Sequence, residues 1–338
     1  MNTSARQLAL VICFAVLSFT LSISAIAQSS DCCESIGDVS IRRAVVHDFT
    51  VFQESYVTAL DFAPDSQSLA CGLHDGRVLL FDLPNARIIR ELPAHDAAAT
   101  SVNFSPDGRW VASSGEDGRA VITDLVDDSN SFQIPHSGVV HEIEFSPKGT
   151  YLMTVGEEQR VRIWDTSTWE EEESIYGHSG PILALAISPA EDLVVTGSGE
   201  IDPSIRLWDV ASREQIQNDL YEGTVNDIEY SPRSSDHHVT IGSSQRIATI
   251  WDVDEGSMLH IIGPLLGGVP DVAYSSLGNT LVAVTGDGTL FFTTMPWWTE
   301  KRRIAFDSPL TAVAFSSSRQ YIACSDNAGH IFLLYIPE

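Results

Sequence analysis

Phe104-Ser105-Pro106-Asp107-Gly108, followed nineteen residues after Phe104 by Thr123-Asp124, is one copy of a beat that recurs along the chain. The residue before each such corner, or its relic, is Phe62, Phe104, Phe145, Ile187, Tyr230, Tyr274 and Phe315, at steps of 42, 41, 42, 43, 44 and 41 residues. Seven units of this period predict a closed array. Within a unit the pattern reads as three short strands and then a fourth. Ser101–Phe104 alternates into the corner, where Pro106 fixes φ and Gly108 relieves the exit. Trp110–Ser113 returns, Glu116-Asp117-Gly118 turns, and Ala120–Thr123 runs back, the Asp-Gly pair being a hairpin signal. The offset from anchor to the nineteenth position holds in five units and lengthens to 21 in two. The extra residues fall around Glu200-Ile201-Asp202-Pro203 and Ser234–His238, read as bulged loops.

The offset positions carry Trp164-Asp165, Trp208-Asp209 and Trp251-Asp252, with Phe81-Asp82 and Thr123-Asp124 as weakened copies, and Gly177-His178 precedes the fourth unit. On these residues the chain from about residue 40 onward resembles the WD-repeat β-propeller family. The resemblance implies an all-β, seven-bladed propeller of four-stranded antiparallel blades. It also implies a hydrogen-bonded chain in each good blade, here His178, Thr196, Asp202 and Trp208. Poorer versions are His136, Thr154, Glu158 and Trp164, and His95, Ser113 and Asp117 with Thr123 in the Trp place. Half-buried imidazole, carboxylate and indole N–H groups each need a partner, and joined they satisfy one another. A catalytic Asp-His relay is the rival reading. It is disfavoured because the arrangement recurs by blade and brings no unique nucleophile.

The last unit ends after three strands, so its fourth must come from elsewhere. Ser40–Phe49 alternates like a strand and is predicted to be the outer strand of the last blade, closing the ring. Ahead of it, Met1–Arg6 carries one positive charge, Leu8–Leu17 is almost wholly apolar, and Ala25-Ile26-Ala27 offers a small-x-small site. Residues 1–27 therefore read as a secretory signal peptide, with a membrane anchor over residues 8–27 as the alternative. Residues 28–39 read as a flexible lead-in containing Cys32-Cys33, and 40–338 as the propeller. Cys71 and Cys324, at matching second-strand positions, read as small core residues, and no disulfide framework is indicated.

Lys plus Arg number 19 against 46 Asp plus Glu, a formal net charge of −27. Such a surface repels phosphate backbones and anionic membranes, so nucleic-acid binding is disfavoured, and membrane contact is expected only if the N-terminal segment stays uncleaved. One stretch breaks this trend: Met295-Pro296-Trp297-Trp298-Thr299-Glu300-Lys301-Arg302-Arg303 places two indoles beside three cations. Trp297, Trp298, Lys301, Arg302 and Arg303 are accordingly the candidate partner-binding residues. The alternative is that one Trp packs under the blade rim while an arginine stem covers the other. Trp169, followed by Glu170–Glu173, sits in the equivalent linker of the third unit, and His237-His238 with Asp236 is a weak metal candidate better read as exposed surface.

Motifs for a nucleophile elbow, a phosphate loop, a helical zinc site or paired C-x-x-C ligands are absent from the sequence. No cofactor or metal is expected. The expected function is a non-catalytic protein- or peptide-binding scaffold, exported from the cytoplasm. The alternative is a propeller enzyme of hydrolase or lactonase type using channel residues, for which the first-strand starts offer Thr58, Thr100, His141, Asn226 and Asp271.

Overall fold

The computed structural model describes residues 33–36, 39–48, 55–85, 87–93, 95–233, 235–294 and 298–336. Seven antiparallel sheets follow one another along the chain. The innermost strands are Val57–Phe62, Ala99–Phe104, Val140–Phe145, Ile182–Ile187, Val225–Tyr230, Asp271–Tyr274 and Leu310–Phe315, in blades 1 to 7. Each contacts the innermost strand of the next blade, and that of blade 7 contacts that of blade 1, so the array is a closed ring.

Closure is made by hydrogen bonds between the chain's two ends. Val39–Asp48 pairs antiparallel with His330–Tyr335, from Arg42 opposite Tyr335 to Asp48 opposite His330. Blade 7 then gains a fifth strand, because Cys33–Ile36 pairs with Val39–Arg42. The stretch read as a flexible lead-in thus contains a strand over residues 33–36. Cys32 and residues 1–27, signal peptide or anchor, lie outside the described residues.

The core is a set of inter-blade layers. Trp208, Val194, Val195, Ile163 and Val161 are at most 2% exposed, and clusters join the inner strands of one blade to those of its neighbour. Cys71 and Cys324 are buried in two such layers. The corners stack as well: Gly108 and Gly149 take φ of 71° and 72°, and a Cβ there would meet Pro64 and Pro106 of the preceding corner at 3.7 and 3.4 Å.

Candidate functional site

The rim network is best formed in blade 4. Asp202 Oδ2 lies 2.8 Å from His178 Nδ1, Thr196 Oγ1 lies 2.7 Å from His178 Nε2, and Trp208 Nε1 donates to Thr196 Oγ1 at 2.8 Å. Burial pushes the His178 imidazole down to about 4 despite Asp202, so it is neutral near pH 7. Trp N–H can only donate, which orients the whole chain: Trp208 donates to Thr196, Thr196 to His178 Nε2, and His178 Nδ1–H to Asp202. Burial opposes ionisation of Asp202, yet the Ser179 N–H, the Ser204 hydroxyl and His178 together hold its carboxyl down at about 2. Arg206 adds contacts to both Asp202 oxygens at 3.2 and 3.1 Å.

Blade 2 keeps most of this network, with His95 Nδ1 3.0 Å from Asp117 and Nε2 2.9 Å from Ser113. In blade 3 the chain is broken. Trp164 Nε1 still donates to Thr154 at 3.2 Å, but Arg162 Nη1 approaches His136 Nδ1 at 3.3 Å and Glu158 stands 3.8 Å away. His136 Nε2 has no hydrogen-bond partner. Arg162 also donates to the Pro135 carbonyl and to Glu171, so the guanidinium has taken the place the carboxylate holds in blade 4. In all three blades the carboxylate accepts the backbone N–H after the histidine, from Asp96, Ser137 or Ser179.

The second constellation lines a cavity of 320 Å³ bounded by residues from all seven inner strands. Six carboxyl groups face it: Asp61, Glu142, Glu144, Asp227, Glu229 and Asp271, with His141 and no Lys or Arg among the lining residues. Each inner strand presents an unpaired edge here, and in blades 2, 3, 4, 6 and 7 side chains of the preceding blade bond to it. Asp61 accepts the Phe104 N–H at 2.7 Å, Glu142 that of Leu185 at 2.6 Å, Asp227 that of Val272 at 2.9 Å and Asp271 that of Val313 at 2.7 Å. Asn103 does the same for Phe145 at 2.8 Å, with an amide in place of an acid. Carbonyls at the starts of two of these strands, Ala99 and Val140, accept from Thr58 and Thr100, and that of Val269, just ahead of the blade 6 strand, accepts from Asn226.

Desolvation dominates the channel acids. Burial lifts Asp61 to about 7 and, with help from Asp227 and Asp61, Glu229 to about 8. Burial likewise pushes Glu142, Glu144, Asp227 and Asp271 above the usual carboxyl range, and Asp271 bonds to Asp227 through its side chain. Burial thus favours the protonated form around this ring, and Glu229, at about 8, is mostly neutral at pH 7.

The cation-rich stretch resolves into parts. Trp297 lies outside the described residues. Trp298 is 8% exposed, packed edge-on to Tyr274 and tilted against His238 at 6.3 Å, so its indole belongs to the core. It takes φ of 49°, and Trp169, Arg213 and Gly256 hold left-handed φ of 58°, 62° and 58° at the matching turn of blades 3, 4 and 5. Trp169 packs against Trp110, Phe132 and Phe145 in the same manner. These side chains reach back over the preceding blade. Lys301, Arg302 and Arg303 lie on the outer strand Thr299–Ala305; Arg302 is half-buried, and Arg303 is exposed with its guanidinium 4.2 Å from the centre of Phe291. His237 and His238 diverge, one 2.8 Å from Asp254 and the other against Trp298, and no three potential ligands converge among the described residues.

The repeat family described as WD domain, G-beta repeat matches residues 45–82, 86–124, 129–165 and 169–209. Each stretch runs from an outer strand or the turn before it through the three inner strands of the following blade, so these four repeats interlock the ring from blade 7 to blade 4. Similar curated proteins include a Periodic tryptophan protein 2 homolog of Schizosaccharomyces pombe, 28% identical over 103 residues, which are 30% of this chain and 12% of that protein. The WD repeat-containing protein slp1 of the same yeast is 25% identical over 207 residues, 61% of this chain and 42% of its own length. The anaphase-promoting complex subunit cdc20 of Dictyostelium discoideum is 24% identical over 244 residues, 71% of this chain and 49% of its own length. The chain thus spans half or less of each of these proteins.

Proposed function

We propose that this chain, whose first four blades are built on WD domain, G-beta repeats, is a non-catalytic scaffold that binds other proteins or peptides through its outward surfaces. The observation that carries the reading is how the ring employs its reactive side chains. The imidazole-carboxylate pairs of the rim clamp loops to blades, and the channel acids accept backbone N–H groups of the next blade. Loops and edges on a frame stiffened in this way are left to carry specificity. One relative is by its name a subunit of a larger complex, which agrees with an assembly role.

The second reading, a channel enzyme of hydrolase or lactonase type, draws on the raised carboxyls around the 320 Å³ cavity. Export rests on residues 1–27 alone, and the mature N-terminus measured by mass spectrometry tests it: a chain beginning near Gln28 supports export, an intact Met1 replaces it with anchoring or retention.

Affinity capture with the purified full chain, followed by cross-link mapping, tests the scaffold against the enzyme. Stoichiometric partners cross-linked to loop or edge residues support the scaffold. Hydrolysis of an ester and lactone panel that is lost in Asp227→Asn and Asp271→Asn, without any captured partner, would overturn it.

A further inference from the structure

The outer edges of the seven blades are not protected alike. Native sheets blunt their edges with charge, Pro, short strands or a covering element, since a bare edge invites another strand. Arg87–Leu92 carries Arg87, Arg90 and Glu91; Phe132–Pro135 is four residues ending in Pro135; Ile175–Tyr176 is two residues long. Gln215–Leu220 carries Asp219, Thr299–Ala305 carries four charges, and Val39–Asp48 is covered by Cys33–Ile36. The blade 5 edge, Ser257-Met258-Leu259-His260-Ile261-Ile262, has six residues and none of these devices. Its bulge, opposite Ile250 and Trp251, is shared with blades 1, 4 and 6 and does not set it apart.

The same edge is apolar and exposed. Met258, Leu259 and Ile261 are 49%, 43% and 45% exposed, and Ile201, Ile216, Leu220 and Leu266 lie on blade 4 and the loop after blade 5. Seven of the eleven large exposed apolar side chains among the described residues therefore cluster on two blades and one adjoining loop, where scattered single residues would need no explanation. Exposed acids flank these strands in sequence, Glu214 and Glu222 on blade 4 and Asp254 and Glu255 before the blade 5 edge, against one exposed cation, Arg246, at the turn beside its far end.

We infer that Ser257–Ile262 is a docking edge for an extended partner segment whose aliphatic side chains are flanked by Lys or Arg, added to blade 5 as a fifth strand. Blade 7 shows that an outer strand of this ring accepts one more antiparallel strand, since Cys33–Ile36 occupies that place there. Main-chain pairing supplies register and the flanking acids select basic flanks. A second copy is a poor occupant, because each chain carries a formal net charge of −27. The inference rests on the scaffold reading and adds the partner's chemistry.

The test uses the full chain and three synthetic peptides: a six-residue Val/Thr alternating strand flanked by paired lysines, its glutamate-flanked twin, and a lysine-flanked version with Pro at its centre. The expected result is at least tenfold tighter binding of the first peptide, with amide-exchange protection confined to residues 257–262. Leu259→Lys with Ile261→Lys, both on exposed side chains, is expected to weaken that binding tenfold or more while the melting temperature stays put. Equal binding of the twin, protection elsewhere, binding unchanged by the double variant, or a dimer in sedimentation that occupies the strand would each overturn the docking edge. If native partners are captured equally by wild type and double variant, the edge fails and the scaffold stands; if neither captures a partner, the scaffold fails as well.

Discussion

The rim of blade 4 and the central channel satisfy buried polar groups by opposite means. On the rim a neutral imidazole and an ionised carboxylate share one hydrogen bond, with Arg206 as a further counter-charge, so charge is balanced within a few ångströms. In the channel, carboxyls face one another with backbone N–H groups as partners and no cation among the lining residues. Balance there comes from protonation. The rim therefore tightens as pH rises from the acid side and the channel loosens, although both serve the same frame.

The comparison breaks most visibly at Trp208. It is 1% exposed, fills the layer between blades 3 and 4, and donates the hydrogen bond that starts the chain. Trp208→Ala is expected to cost about 3–5 kcal/mol from lost apolar burial and the cavity left behind, read by chemical denaturation. Blade 2 already has Thr123 at that place, and Thr123→Ala is expected to cost roughly 1 kcal/mol or less. Equal losses at the two positions would show that the indole is not what distinguishes the blades.

The rim was legible in the sequence and the channel was not, for a reason of period. Corners, turns and the W-D beat are local, so the blade count, the ring closure through Val39–Asp48 and the four residues of the blade 4 chain can be read along the strand. The channel acids obey a cross-blade rule. Asp61, Asn103, Glu144 and Glu229 immediately precede their anchors, and Glu142, Asp227 and Asp271 precede theirs by three. Along one strand they look like the polar half of an ordinary alternation, and only aligned between units do they form a column. Reading the channel from the strand starts found Thr58, Thr100, His141, Asn226 and Asp271, of which three donate to the next blade and one is an acid of the ring. In the two-tryptophan stretch the structure bears on Trp298, which follows the alternative of an indole packed under the blade rim. The turn geometry that folds Trp298 onto Tyr274 and His238 depends on a left-handed φ that composition does not reveal.

The difference sharpens when one channel acid is made permanently neutral. The Asp61 carboxyl is raised to about 7 from an ordinary value near 3.8, so the folded chain binds more protons than the unfolded one between those values. Its contribution is fully present below about 4 and is lost as pH rises through about 7. His178, lowered to about 4 from 6.5, has the opposite sign: its contribution is present above 6.5 and is lost as pH falls toward 4. Asn103 shows that an amide can hold the next blade's N–H, so Asp61→Asn keeps the bond to Phe104. We expect it to raise stability by about 1–3 kcal/mol at pH 8 and to change little at pH 5, by denaturation at both values. A gain of the same size at pH 5 would mean that protonation is not what balances the channel.

The smallest effect separates intact from broken rim chains. A double-mutant cycle on His178→Ala and Asp202→Ala should show a coupling of about 1–2 kcal/mol, because the pair is buried at 2.8 Å. The same cycle on His136→Ala and Glu158→Ala should give below roughly 0.5 kcal/mol, because Arg162 stands against the His136 ring and the carboxylate is 3.8 Å away. Arg162→Met removes the intruding cation, frees His136 Nδ1 to carry its proton toward Glu158, and should raise that second coupling toward the first. If the blade 3 coupling stays flat in the Arg162→Met background, the guanidinium is not the cause of the break, and the longer Glu158 side chain, where blade 4 has Asp202, becomes the physical difference to pursue.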